Sequence, residues 1–227
     1  DVTDFICSDV GGDNLVTLTV TDYSGNESIA TANVDVQDNI IPVITCVATT
    51  KYVDPYQTYY TVAGTEFDAT ATDACGLESL TYNGVLPNSI GTTMDGGQLN
   101  LGVHTIDWTA VDVNGNESYC TTEITILKRP TSITNNGDVD EQYSDSANLT
   151  ATLTDDVSGD GIQGKTVLFT IGSQSTTAVT NASGIASTSL ILTQDPYGSY
   201  TVKAEFLEDD GYLGSSDNKN FDITQED

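Results

Sequence analysis

Basic residues are nearly absent: the 227 residues include 6 Lys and Arg against 34 Asp and Glu, with one histidine. The formal charge of −28 repels phosphate backbones and anionic lipid, which excludes nucleic acid and membrane surfaces as partners. Leucine and methionine are scarce, and no apolar run reaches the length of a membrane span. Helical periodicity of useful length is missing too. Nothing at the start resembles a signal peptide, and the first residues read as the middle of a module, so a fragment of a longer chain is expected. The four cysteines contain no CxxC, which argues against zinc and suits an oxidising compartment. No nucleophile elbow, phosphate loop or framed carboxylate pair occurs. His104 falls on the apolar side of a strand, where edge packing explains it better than catalysis. The expectation is a protein that is not an enzyme.

What is present points to strands. Thr, Val, Ile and Tyr are abundant, and Gly and Asn punctuate the chain. "LVTLTVTD" is expected to bury Val16, Leu18 and Val20 on one face with its threonines outward, and "HTIDWTAVD" to do the same with Ile106, Trp108 and Ala110. "NLTATLTD", "KTVLFTI", "ASTSLIL" and "YTVKAEF" follow, with hairpin turns expected at Asn181–Gly184 and Pro196–Gly198. Strands at spacings of about 8–12 residues indicate sandwiches. The fold class is all-β, as tandem immunoglobulin-like β-sandwiches in a rod-like array.

An internal repeat sets the organisation. Aligning Asp22 with Asp112, an offset of 90, brings "TDYSGNES" onto "VDVNGNES" and Val16, Leu18 and Val20 onto Ile106, Trp108 and Ala110. Three segments follow: 1–39, the C-terminal part of an incomplete repeat; 40–129, a full one; and 130–227, of a different pattern. Residues 1–39 cannot close a core alone, so the missing strands come from upstream sequence or another chain.

Residues 40–127 resemble a hyalin repeat (HYR) domain through "PVITC" at 42–46, "YTVAGTEFDATATDACG" at 60–76 and "GVHTIDWTAVDVNGNESYC" at 102–120. Residues 1–39 resemble the tail of a related repeat. The third segment is similar to bacterial Ig-like domains of the invasin type, through "GIQGKTVLFTIG", "TNASGIAST" and "YGSYTVKAEF". The combination resembles the giant surface adhesins of Bacteroidetes, including the SprB-type gliding adhesins. That resemblance implies a non-catalytic, extracellular stalk or adhesive segment exported by the type IX system. Its partners would be neighbouring repeats of the same long chain, with surface polysaccharide or another cell-surface protein as ligand. The alternative is a set of accessory modules on a secreted glycosidase or protease.

In an Ig-like sandwich the B–C and F–G loops share a pole with the incoming linker. Asp38 and Asn39 of the linker, Asp73 of the B–C corner, and Asp112, Asn114 and Asn116 of the F–G loop would then converge. Six oxygen-bearing side chains match what calcium takes, and a cadherin-like "DN…P" linker adds to the match. An EF-hand is excluded, because glycine stands fourth in the loop rather than sixth. The same residues also make ordinary hairpin turns, since Asn and Gly tolerate positive φ. At the next junction the offset brings Lys128 and Arg129 instead, where an exposed salt-bridged joint that bends more easily, with no ion, is expected. Asp155, Asp156 and Asp160, and Glu208, Asp209 and Asp210, read as solvated turns before cation sites.

HYR domains commonly carry cysteines at the places of Cys46 and Cys120, which implies that pair, with Cys75 a competitor for either and Cys7 lacking a partner. Asp145-Ser146-Ala147 fits the short O-glycosylation motif of Bacteroidetes and marks Ser146. An isopeptide bond from Lys165 or Lys203 has no specific support in the sequence.

Overall fold

The computed structural model describes residues 4–84, 90–193 and 198–225. The Pro196–Tyr197 part of the second expected turn lies outside them. The described chain is all-β, with one short 3-10 turn at Cys7–Asp9. Two compact units divide it: Asp1–Thr49 with Thr61–Leu99 and Val103–Thr125, and Thr50–Tyr60 with Asn100–Gly102 and Ile126–Asp227.

The strands up to residue 127 are β1 (Gly11–Thr21), β2 (Glu27–Val36), β3 (Val43–Thr45), β4 (Ala48–Tyr52), β5 (Tyr59–Thr61), β6 (Thr70–Thr72), β7 (Leu77–Asn83), β8 (Ile90–Gly91), β9 (Gln98–Asn100), β10 (Gly102–Asp112) and β11 (Glu117–Leu127). One sheet runs β4-β11-β10-β7-β8, and the pairs β3-β6 and β5-β9 stand apart from it. Alternation decides which face of β10 is inside: Ile106, Trp108 and Ala110 are fully buried. β11 supplies Thr122 and Ile124 to the interior, and Val62, Phe67, Ala69, Met94 and Leu99 are buried with them. β1 and β2 form a separate two-stranded hairpin in continuous register from Asn14↔Val34 to Thr21↔Glu27.

The later strands are β12 (Thr131–Asn135), β13 (Asp140–Gln142), β14 (Ser146–Asp155), β15 (Thr166–Ile171), β16 (Gln174–Val179), β17 (Ile185–Ile191), β18 (Gly198–Phe206) and β19 (Ser215–Thr224). They make two sheets, β12-β14-β17 and β13-β19-β18-β15-β16. β13 and β19 run parallel, whereas the other registered pairs of these sheets are antiparallel. Inward positions spaced by two fill the sandwich: Leu149, Ala151 and Leu153 from one sheet, Val167, Phe169, Ile171, Val202, Ala204 and Phe221 from the other. The Asn181–Gly184 turn closes as expected, with the Gly184 N–H donating to the Asn181 carbonyl at 2.9 Å. Glycine is required there, because φ is +76° and a Cβ would lie 2.3 Å from the Leu153 carbonyl oxygen.

All four cysteines are paired. Cys46 bonds Cys120 across 74 residues of sequence, and Cys7 bonds Cys75 across 68. The second pair corrects the expectation that Cys7 lacks a partner in this chain. The 3-10 turn sets Cys7 against the Asp73–Gly76 corner, a contact that no local pattern announces. Closing loops this long contributes about 4 kcal/mol each on the chain-entropy account.

Candidate cation site and the acidic turns

The two "GNES" loops fold alike. In each, the leading aspartate closes the turn with its own carboxylate. Asp112 Oδ1 accepts the N–H groups of Asn114 and Asn116, both at 2.8 Å, and Oδ2 accepts the Asn116 side-chain amide. Asp22 does the same for Ser24 and Asn26. The backbone closes behind them, Asp112 N–H to the Asn116 carbonyl and Gly115 N–H to the Asp112 carbonyl. Gly115 has φ +90°, a conformation that L side chains rarely adopt.

The carboxyls respond to these bonds. Asp22 is held below its ordinary pKa, first by the Asn26 side-chain amide and then by backbone N–H groups. For Asp112 burial pushes upward most strongly, but the hydrogen bonds from Asn116, Asn114 and Gly115 together outweigh it, and the net shift is downward. A folded pKa below the unfolded one means stability present above the unfolded pKa and lost as pH falls through the folded one. The backbone amides of Asn26 and Asn116 are therefore expected to titrate with midpoints below about 3.9 in an NMR pH series. Midpoints at or above that value would show that the turns do not depend on these carboxylates.

Around this turn the structure gathers part of the expected cation set. Asp38 Oδ2 accepts the Asn114 side-chain amide at 2.9 Å, and the Asp38 carbonyl accepts that of Asn116 at 3.1 Å. Oxygens of Asp38 and Asp73, with the Cys75 sulfur, lie within 4.8 Å of one another. Cys75 is in a disulfide and offers no thiolate. Asp73 Oδ1 accepts the N–H groups of Cys75 and Gly76, whereas Asp73 Oδ2 is buried without a hydrogen-bond partner. Two expected ligands stand differently: the Asp112 carboxylate is saturated by its own loop, and Asn39 is exposed. The donor set that fits a hard cation is thus Asp38 and Asp73, with the Asn114 amide able to present oxygen after a flip, whereas the Asn116 amide is held as a donor by Asp112 and the Asp38 carbonyl.

In the second unit each acidic turn has an aspartate paired with a basic side chain. Arg129 Nε bonds Asp155 Oδ2 at 2.5 Å, with side chains 7% and 4% exposed, and the Arg129 guanidinium also reaches the Val53 carbonyl. This corrects the expectation of an exposed, weak joint: Arg129 is buried inside the second unit. Lys128 behaves closer to expectation, 3.6 Å from the exposed Glu208. Asp209 pairs with Lys165, whose ammonium lies 4.7 Å from the Tyr212 ring centroid. Burial pushes Asp209 upward, but Lys165 and the N–H groups of Gly211 and Tyr212 bring its pKa below the ordinary value. Lys165 thus stands in the structure as the salt-bridge partner of Asp209. Lys203 pairs with Glu205 at 2.6 Å. His104 is half-buried on β10, and Ser146 is exposed at the start of β14. The Arg129–Asp155 pair was not legible beforehand, because neither residue carries a local mark of burial.

No known family model and no curated protein matches the chain. Solved structures do resemble it. The D00-D0 domain of intimin is 18% identical, over 80% of this chain and 99% of that one, with a TM-score of 0.30. A tetra-tandem repeat from the extending region of a large adhesion protein is 20% identical over 95% of this chain and 58% of that one, at 0.35. The Yersinia pseudotuberculosis adhesin InvE is 14% identical over 79% of this chain and 58% of that one, at 0.31. Among the described residues, no helix is long and apolar enough to cross a membrane.

Proposed function

We propose that this chain is a non-catalytic segment of a large cell-surface adhesin, in which repeated sandwich modules space or present weak adhesive surfaces. One observation carries the reading: the "GNES" hairpin occurs twice at an offset of 90, with the same Asp-closed turn each time. Repetition of a module whose polar side chains serve its own turns suits a stalk, where avidity comes from number rather than from a deep pocket. The HYR-like and invasin-like motifs add the cell surface, type IX export and a gliding role to the proposal, and Ser146, exposed, is its glycan site. Antibody raised to the chain is expected to label intact source cells, and deletion of the gene to reduce their surface attachment. Labelling only after permeabilisation overturns the reading, and a single catalytic domain beside these modules in the full gene favours the accessory-module alternative.

Calcium belongs to the same proposal. Asp38 and Asp73 would hold it, and the ion would offset the repulsion of two neighbouring carboxylates and meet the orphaned Asp73 Oδ2. Melting of the first unit is expected to rise with calcium and fall with chelator, by about 2.7 kcal/mol at 100 times the Kd. Asp73→Asn keeps the Oδ1 acceptor for Cys75 and Gly76 and is expected to abolish the response. A wild-type melting temperature indifferent to chelator rejects the site.

A further inference from the structure

The repeat supplies a reference for the bare hairpin. Offset by 90, β1 and β2 are the counterparts of β10 and β11. In the second copy the inner face of that hairpin, Ile106, Trp108, Ala110, Thr122 and Ile124, is 0% exposed. Both outer edges are occupied there, β10 by β7 and β11 by β4. Tyr82 of β7 packs 5.3 Å from Trp108, and the Thr122 hydroxyl donates to the Phe67 carbonyl at 3.5 Å. In the first copy the same positions are Val16, Leu18, Val20, Ala32 and Val34. They share one face, because Val16 pairs with Ala32, Leu18 with Ala30 and Val20 with Ser28. Contrary to the expected burial, Leu18 is 63% exposed and Val20 58%, because β1 and β2 pair only with each other among the described residues. An apolar face bounded by two open edges is a template for added strands.

We infer that this hairpin accepts a polypeptide of the chemistry of residues 43–100, a further copy of the module's first half. The incoming segment lays a β7-like strand antiparallel on β1 and a β4-like strand on β2. The registers Trp108↔Tyr82 and Ala110↔Leu80 transfer directly, so its tyrosine stands opposite Leu18 and its leucine opposite Val20. Charge selects this occupant over a second whole copy, which brings another net charge of −28 to the contact. The inference rests on the repeat and is independent of any adhesive role.

The probe is a polypeptide of residues 40–100 of this chain, with Cys46 and Cys75 replaced by Ser, added to the full 227-residue protein. Amide exchange at Thr17 and Thr21, whose N–H groups face the open edge of β1, and at Asn33, facing that of β2, is expected to slow by about tenfold or more. Leu18→Asp, at an exposed position, should abolish the slowing, and Thr19→Asp on the opposite face should keep it. A fusion placing residues 40–100 ahead of Asp4 covers the case of a probe that is poorly soluble alone, and it should show the same protection. Unchanged exchange in both arms overturns the inference, as does slowing that survives Leu18→Asp. Protection that rises with protein concentration in the absence of probe assigns the face to a second copy instead, and overturns it as well.

Discussion

Replacing Arg129 by Ala is expected to destabilise the second unit by about 3–5 kcal/mol, the range for removing one partner of a buried ion pair. The substitution leaves the Asp155 carboxylate, 4% exposed, without its counter-ion, and also frees the Val53 carbonyl that the guanidinium meets at 3.0 Å. The backbone of residue 129 remains held, since its N–H donates to the Gly211 carbonyl and its carbonyl accepts from Leu213. The loss therefore reports the side chain. At roughly 4–8 °C per kcal/mol for a domain of this size, melting should fall by more than about 12 °C. Arg129→Lys is not expected to restore it, because one ammonium cannot face Asp155 and Val53 in the planar geometry of a guanidinium. The double replacement Arg129→Met with Asp155→Leu should recover most of the loss, short of the Val157 N–H that Asp155 Oδ1 accepts. An Arg129→Ala protein within about 1 kcal/mol of wild type in urea melts would show that the pair is solvated after all.

That pair marks a limit of reading from sequence. Adjacent Lys128 and Arg129 look alike in the chain, yet Lys128 reaches the exposed Glu208 while Arg129 is enclosed. The difference arises from which strands flank residue 129, and side-chain chemistry does not encode that. The Cys7–Cys75 bond was hidden for the same reason: it joins a 3-10 turn to a corner 68 residues away. Legible features were those written with a period. Alternation of two placed Ile106, Trp108 and Ala110 inward on β10, and Leu149, Ala151 and Leu153 inward on β14. At the candidate site, the offset located the twin turns and the Asp38 linker, but two of its ligands stand elsewhere. Spacing brought Asp112 to the correct loop, whereas the direction of its carboxylate was decided by the nearer N–H groups of Asn114 and Asn116.

The repeat also turns burial into a controlled comparison, because Trp108 and Leu18 hold the same position in two copies. Trp108→Ala is expected to destabilise the first unit by about 3–5 kcal/mol, since the indole is fully enclosed and packs on Tyr82. Leu18→Ala, at 63% exposure, should stay within about 0.5 kcal/mol. Trp108→Phe separates volume from polarity. The indole Nε1 is buried with no hydrogen-bond partner, so removing it relieves a desolvated donor worth about 1–3 kcal/mol. That gain opposes the smaller ring, and the net change should be less than half that of Trp108→Ala. Trp108 is the single tryptophan, so circular dichroism in urea, rather than fluorescence, reads all three. A Leu18→Ala loss as large as that of Trp108→Ala would mean that the hairpin face is already covered in solution. Combined with exchange slowed by the added segment only for wild type, the small loss instead identifies a face that gains its core when its complement arrives.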